Sequence, residues 1–178
     1  MKRSRSLKLA FMGASALALT ACDQPQDIAI FESVEQCSQQ DGFDSDSCQR
    51  NMDLAREEHI SVAPKYSAIE DCEADFGAAS CEVAPVQTQS GGSVFMPLMM
   101  GYMMGNMLSG NSRVATQPLY RSKDDPSNFR TADNQKVAGK TGLSTVPGKV
   151  AKAPTVKTST LSRGGFGASA PSLRSFGG

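Results

Sequence analysis

One histidine, His59, is all the imidazole in this chain of 178 residues. Oxidised cysteines would leave it no free thiolate to activate, so a Cys–His catalytic pair is not expected. No glycine loop sits between a strand and a helix to cradle phosphate; the pairs in SGGS and RGGFG lack both neighbours. Tight cysteine pairs of the zinc-binding kind are missing, the spacings being C-x₁₀-C and C-x₈-C. The longest apolar run of the leader is too short for a transmembrane helix. Carboxylates are plentiful, but 15 of them crowd into residues 22–112, which suits a solvated acidic face better than an acid/base pair. These absences point to a protein that is not an enzyme, with no catalytic residues, no cofactor and no resident metal.

What is present begins with an export address. MKRSRSLK is a basic leader, and LAFMGASALALTA is an apolar run of signal-peptide length. It ends in Leu19-Thr20-Ala21-Cys22, a leucine and two small residues before cysteine, which is the pattern of a bacterial lipobox. Residues 1–21 are therefore expected to be removed and Cys22 to carry lipid. Asp23 follows directly and slightly favours the inner over the outer membrane. Nucleic acid is not an expected partner for an exported, lipid-anchored chain facing the periplasm.

The formal net charge of zero hides a division. Residues 22–112 carry 15 Asp and Glu against 3 Lys and Arg, whereas residues 113–178 carry 3 against 11. The second half is rich in Gly, Ser, Thr, Pro and Lys and poor in large apolar residues. Such a tail is expected to stay mostly disordered over 110–178, since it buries too little to offset the entropy of ordering. Its charge suits an anionic envelope polymer, plain solubility, or its own acidic head.

The acidic segment reads as helical. Ser33-Val34-Glu35-Gln36 is a capping box, and DGFDSD breaks the helix it opens. Asp46 would cap a second helix to about Val62, with Cys48, Met52, Ala55, His59 and Val62 on one face. His59 is thus expected in a core. Ser67-Ala68-Ile69-Glu70 is a second capping box, and Gly77 stops that helix. The four remaining cysteines, Cys37, Cys48, Cys72 and Cys81, suggest two disulfides in an exported protein. A weak internal repeat, SVEQC…DSDSC and AIEDC…GAASC, favours the local pairs Cys37–Cys48 and Cys72–Cys81. The crossed alternative is Cys37–Cys81 with Cys48–Cys72.

FMPLMMGYMMGNML, residues 95–108, holds six methionines and no charge. Met96, Met99, Met100, Met103, Met104 and Met107 recur at helical spacing, while Gly101 and Gly105 form a small-xxx-small pair on the other face. Three uses compete: adaptable packing against the head or a second copy, membrane-surface contact, and Cu(I) held by thioether sulfurs.

APKY (63–66), EDCEADFGAASC (70–81), FMPLMMGYMMG (95–105), QPLYRSK (117–123) and RGGFG (163–167) occur in an order that resembles the YgiB-like family of uncharacterised bacterial lipoproteins. The resemblance implies an envelope lipoprotein and brings no catalytic residues with it. Members are often encoded near ATP-grasp ligases similar to glutathionylspermidine synthase, which implies a shared pathway rather than an activity of this chain.

The expected architecture is therefore a small, mainly α, disulfide-stapled head, one Met/Gly-rich apolar helix and a long disordered C-terminal tail. Its parts are a signal peptide (1–21), a tether (22–32), the acidic head (33–85), a linker (86–94), the methionine helix (95–109) and the basic tail (110–178). The expected function is contact: with the membrane through the lipid, with a second copy or an envelope protein through Met96, Met99, Met100, Gly101, Met103, Met104, Gly105 and Met107, and with anionic polymer through the tail. The alternative is a periplasmic Cu(I)-binding or metal-stress protein.

Overall fold

The computed structural model describes residues 24–88, 91–105 and 114–171. The expected signal peptide, Cys22 and Met107 lie outside these residues. The elements are β1 (Gln26–Phe31), α1 (Val34–Ser38), α2 (Ser45–Val62), α3 (Ile69–Phe76), β2 (Cys81–Gln87), β3 (Ser93–Pro97), β4 (Gly101–Gly105), β5 (Gln117–Ser122), β6 (Asp125–Arg130) and β7 (Gly142–Val146). Five strands form one curled antiparallel sheet in the order β6-β5-β4-β1-β7, and β2 pairs with β3 in a separate ribbon.

The sheet has a packed layer on each face, because successive strand residues point opposite ways. On β1, Ala29 and Phe31 face α1 and α2, together with Tyr102 and Met104 of β4. Ile28 and Ile30 face the other way, onto Met103, Leu119, Phe129, Val146 and Val150. A third core gathers Tyr66, Phe76, Met96, Tyr120 and Phe166 between α3, β3 and the C-terminal segment.

The helices follow their local signals. Ser33 caps α1, its Oγ accepting from the Gln36 N–H at 3.1 Å. Asp44, not Asp46, caps α2, with its carboxylate accepting from the Ser47 N–H at 2.8 Å. Residue Ala68 stands at the N-cap of α3 and makes no side-chain cap bond, so the second capping box does not form. Gly77 ends α3 at φ 105. Two disulfides staple this half, Cys37–Cys48 between α1 and α2 and Cys72–Cys81 between α3 and β2.

The fold class is a correction. The chain is a mixed α/β domain, not a mainly α head with a free tail. Over the described residues 95–105, the expected methionine helix is the end of one strand, a three-residue connection and a second strand, with β3 and β4 in different sheets. The methionines fall at helical spacing, but in a short apolar run periodicity alone does not separate a helix from buried strands. Gly101 decides locally: a Cβ there would lie 2.8 Å from the Phe31 carbonyl oxygen, so glycine is what lets β4 meet β1. The expected disordered tail supplies β5, β6 and β7. Leu119, Tyr120, Phe129, Val146 and Phe166 go into cores shared with the first half of the chain, while Leu143 and Val156 stay exposed. Judged alone the tail cannot order itself; joined to a ready apolar surface it can.

Candidate functional site

APKY ends α2 and turns the chain into the core. Ala63 caps the helix in an extended conformation before Pro64, which cannot continue it. Tyr66 then bridges Phe95 of β3 on one side and Leu161 on the other. The segment 157–161 is laced to this corner by the Lys157 N–H on the Ser61 carbonyl at 3.0 Å and the Leu161 N–H on the Lys65 carbonyl at 2.6 Å.

Between these bonds lies Lys65, only 7% exposed. Its Nζ donates to the Ser61 carbonyl at 3.0 Å, at the negative end of α2. No carboxylate among the described residues pairs with it. Burial, and then the charge of Lys157, lower the pKa of the Lys65 ammonium. Lys157 itself is matched: it bonds the Asp133 carboxylate and donates to Thr155 Oγ1 at 2.8 Å. Burial alone would raise the Asp133 pKa, but the bonds from Lys157 and Thr155 outweigh it and hold the carboxyl below its usual range.

Two hollows flank the 157–159 segment, and Lys65, Lys157 and Ser159 line both. The larger, about 690 Å³, has apolar walls from Ile60, Val86, Val94 and Val156 and a hydroxyl rim that includes Thr88 and Thr160. The smaller, about 330 Å³, is closed by Ala132, Asp133, Asn134 and Phe166. The combination of an apolar wall, hydroxyls and a buried ammonium suits a ligand with an anionic group on an apolar or polyhydroxyl body.

Beside the site two carboxylates, Asp75 buried and Asp124 exposed, hold the C-terminal segment. Asp75 accepts from Tyr66 OH at 2.9 Å, the Gly164 N–H at 2.7 Å and the Phe166 N–H at 3.2 Å. Asp124 accepts from Ser122 Oγ at 2.6 Å and the Ser169 N–H at 2.7 Å. Asn134 holds Gly167 from both sides, donating to its carbonyl at 2.8 Å and accepting its N–H at 3.1 Å. A Cβ on Gly167, at φ 104, would run into the Asp124 carboxylate. RGGFGAS is thus a strap that drives Phe166 onto Phe76 and Tyr120, with ring centroids at 4.8 and 6.1 Å. Burial, reinforced by Asp75, pushes the Tyr66 phenol far above its ordinary range.

His59 is buried in this neighbourhood, its Nδ1 2.8 Å from Tyr120 OH and its Nε2 3.6 Å from Glu82. Burial lowers its pKa against the opposing pull of Glu82. Burial, aided by the nearby Glu58 charge, keeps the Tyr120 phenol protonated. A neutral imidazole accepting from Tyr120 fits both shifts.

The cysteines singled out in the sequence pair as expected, whereas the described methionines do not converge. Met96, Met103 and Met104 enter three separate cores, Met99 packs beside the second, and Met100 is 44% exposed in the turn before β4. No single face gathers their sulfurs. Gly101 and Gly105 stand at the two ends of a strand rather than on a helix face. Among the described residues no group of three or more His, Cys, Asp or Glu is arranged to hold a metal, and no helix is long and apolar enough to cross a membrane. Lys65, Lys157 and Asp75 were missed as site residues. APKY and RGGFG did stand out as motifs, but nothing in them shows that they meet.

Fold and cleft together define a disulfide-bridged α/β domain with a lysine-lined surface cleft. Residues 25–177 match the family model described as Protein of unknown function (DUF1190), and the chain belongs to that family. It is 35% identical to a UPF0441 protein of Erwinia tasmaniensis over 85% of this chain and 75% of that protein. A UPF0441 protein of Yersinia pestis is also 35% identical, over 94% of this chain and 84% of its own length. One from Serratia proteamaculans is 36% identical over 85% and 76%. No solved structure matches the chain.

Proposed function

We propose that this is a non-enzymatic lipoprotein of the bacterial cell envelope, held by lipid on Cys22 and facing the periplasm, with the inner membrane favoured by Asp23. Its folded domain binds an anionic group of another envelope component in the Lys65 cleft. The lipobox-like Leu19–Cys22 and the resemblance to YgiB-like lipoproteins support the anchor. Two disulfides support an oxidising compartment.

The observation that carries the binding reading is Lys65. Its partly buried ammonium faces the hollows with no carboxylate partner among the described residues, and the end of α2 offers only about half a charge. A carboxylate or phosphate in the adjoining hollow completes it. The basic second half is folded into the domain, with Arg121 on Glu32 at 3.1 Å and Arg163 on Asp71 at 3.8 Å, and its other basic residues remain candidates for an anionic envelope polymer.

Octyl phosphate is a suitable probe, titrated calorimetrically into the protein beside octanol as the neutral control. The phosphate binds, octanol binds at least about tenfold more weakly, and Lys65→Met removes that preference. Equal binding of both, or no effect of Lys65→Met, would overturn the cleft as the binding site. Loss of radiolabelled palmitate in Cys22→Ser checks the anchor separately.

A further inference from the structure

Three separate elements turn aliphatic side chains into the larger hollow beside Lys65. Ile60 comes from the last turn of α2, Val86 and Val94 from the two strands of the β2–β3 ribbon, and Val156 from the segment that leads to Lys157. Val94 is buried, whereas Ile60, Val86 and Val156 stay 40%, 36% and 64% exposed. The elements that carry this wall are tied to one another. Tyr66 and Phe95 exchange backbone bonds at 2.8 and 2.9 Å, which joins β3 to the residues just after α2, and the Lys157 N–H bonds the Ser61 carbonyl at 3.0 Å. Exposed aliphatic side chains gathered around one hollow mark a surface that gains from being covered.

The polar groups of the hollow bear on what covers it. Ser61 Oγ donates to the Glu58 carbonyl at 2.9 Å, and Thr88 Oγ1 accepts from the Gly92 N–H at 2.8 Å. Neither an aromatic ring nor a carboxylate stands among the described residues that line the hollow. A polyhydroxyl body laid on the aliphatic wall would give up water from its hydroxyls with no partner there to replace it, which is unfavourable. A hydrocarbon chain loses nothing of that kind, and each methylene it buries strengthens binding by up to about fourfold. The charge at this wall is the Lys65 ammonium, since Lys157 is matched by Asp133.

We infer that the ligand of this cleft is a single-chain anionic amphiphile, with its hydrocarbon chain on Ile60, Val86, Val94 and Val156 and its phosphate or carboxylate head on Lys65. This rests on the binding reading of Lys65 proposed above and narrows it to one class of ligand. The hollow of about 690 Å³ has the size of a small-molecule site. A phospholipid that has lost one acyl chain and a free fatty acid share the required chemistry. Ile60 and Val156 keep much of their surface in water, so a bound chain gains only part of the full value per methylene.

The test uses residues 23–178, which contain every described residue and both disulfides, exported behind a cleavable leader so that no detergent is needed. Butyl phosphate, octyl phosphate, octanoate, octanol and glucose 6-phosphate are titrated calorimetrically below their micelle-forming concentrations. Octyl phosphate binds at least about tenfold more tightly than butyl phosphate, and glucose 6-phosphate binds no better than butyl phosphate. Replacing two exposed wall residues together, Ile60→Ser with Val156→Ser, brings octyl and butyl phosphate within about threefold of each other. The tighter of octyl phosphate and octanoate names the head as phosphate or carboxylate, and either supports the class. Equal binding of butyl and octyl phosphate, or tighter binding of glucose 6-phosphate than of octyl phosphate, overturns the amphiphile, while a preference for octyl phosphate over octanol leaves the Lys65 cleft standing. A chain-length gain untouched by the double substitution places the chain elsewhere and overturns it too. Equal binding of octyl phosphate and octanol overturns the cleft and the amphiphile with it.

Discussion

His59 shows how one buried group sets a pH dependence. Its folded pKa lies below the unfolded value of about 6.5, because burial disfavours the imidazolium. Between those two values the unfolded chain binds more protons, so stability rises with pH. The contribution is complete above about pH 6.5 and falls away as the pH drops towards the depressed folded value. Glu58 acts in the opposite sense, its carboxyl being raised by burial. The difference between the parent and His59→Gln therefore isolates the imidazole: urea midpoints of the variant should lose the downward slope just below pH 6.5 that the parent shows. An identical slope in both proteins would refute the assignment. The burial of His59 was legible from its place on the apolar face of α2. Its contact with Tyr120 was not, because Tyr120 lies in a segment that composition alone marks as disordered.

The element most at odds with its sequence is β4. GYMMG offers glycine at both ends and three large residues that are all buried, so neither alternation nor helical period is visible. The helices were readable because each exposes one face to water and begins or ends at a recognisable residue, as at Ser33 and Gly77, although the cap of α2 is Asp44 rather than the expected Asp46. The local disulfides were readable for a related reason, since DGFDSD forces a turn between Cys37 and Cys48. Strands β5 and β6 were hidden by polar residues that are buried and bonded, such as Gln117 and Arg130, the latter paired with Asp125 at 3.0 Å. Gly101→Ala tests the reading of β4. Its methyl meets the Phe31 backbone, which cannot swing aside, so denaturation should show a loss of about 1–3 kcal/mol. A neutral substitution would mean that β1 and β4 separate without cost.

The molecule as a whole is one acidic half closed by one basic half. What the sequence shows as a charge division is realised as Arg121 on Glu32 and Arg163 on Asp71, with backbone N–H groups of the strap on Asp75. Pairing between halves is a long-range property, and no local window of sequence contains it. Ending the chain after Leu161 removes Phe166 from its contacts with Phe76 and Tyr120 and leaves Asp75 with Tyr66 OH alone among its three donors. Deleting a core phenylalanine typically costs about 3–5 kcal/mol, and small domains have only about 5–15 to lose. The truncated protein should melt far below the parent in near-ultraviolet circular dichroism. A matching melting temperature would show the strap to be dispensable.

Strand β1 is the first element among the described residues, yet it sits inside the sheet. Ile28 pairs with Gly105 on one side and with Ser144, from the far end of the sequence, on the other. A chain that leaves the cytoplasm N-terminus first presents β1 early and its last neighbour late. Under the export proposed above, the sheet could close only after β7 had crossed, because β1 needs that strand as its neighbour. Acyl transfer to Cys22 would then act on a slack polypeptide, and closure of the sheet would follow once the end of the chain is free.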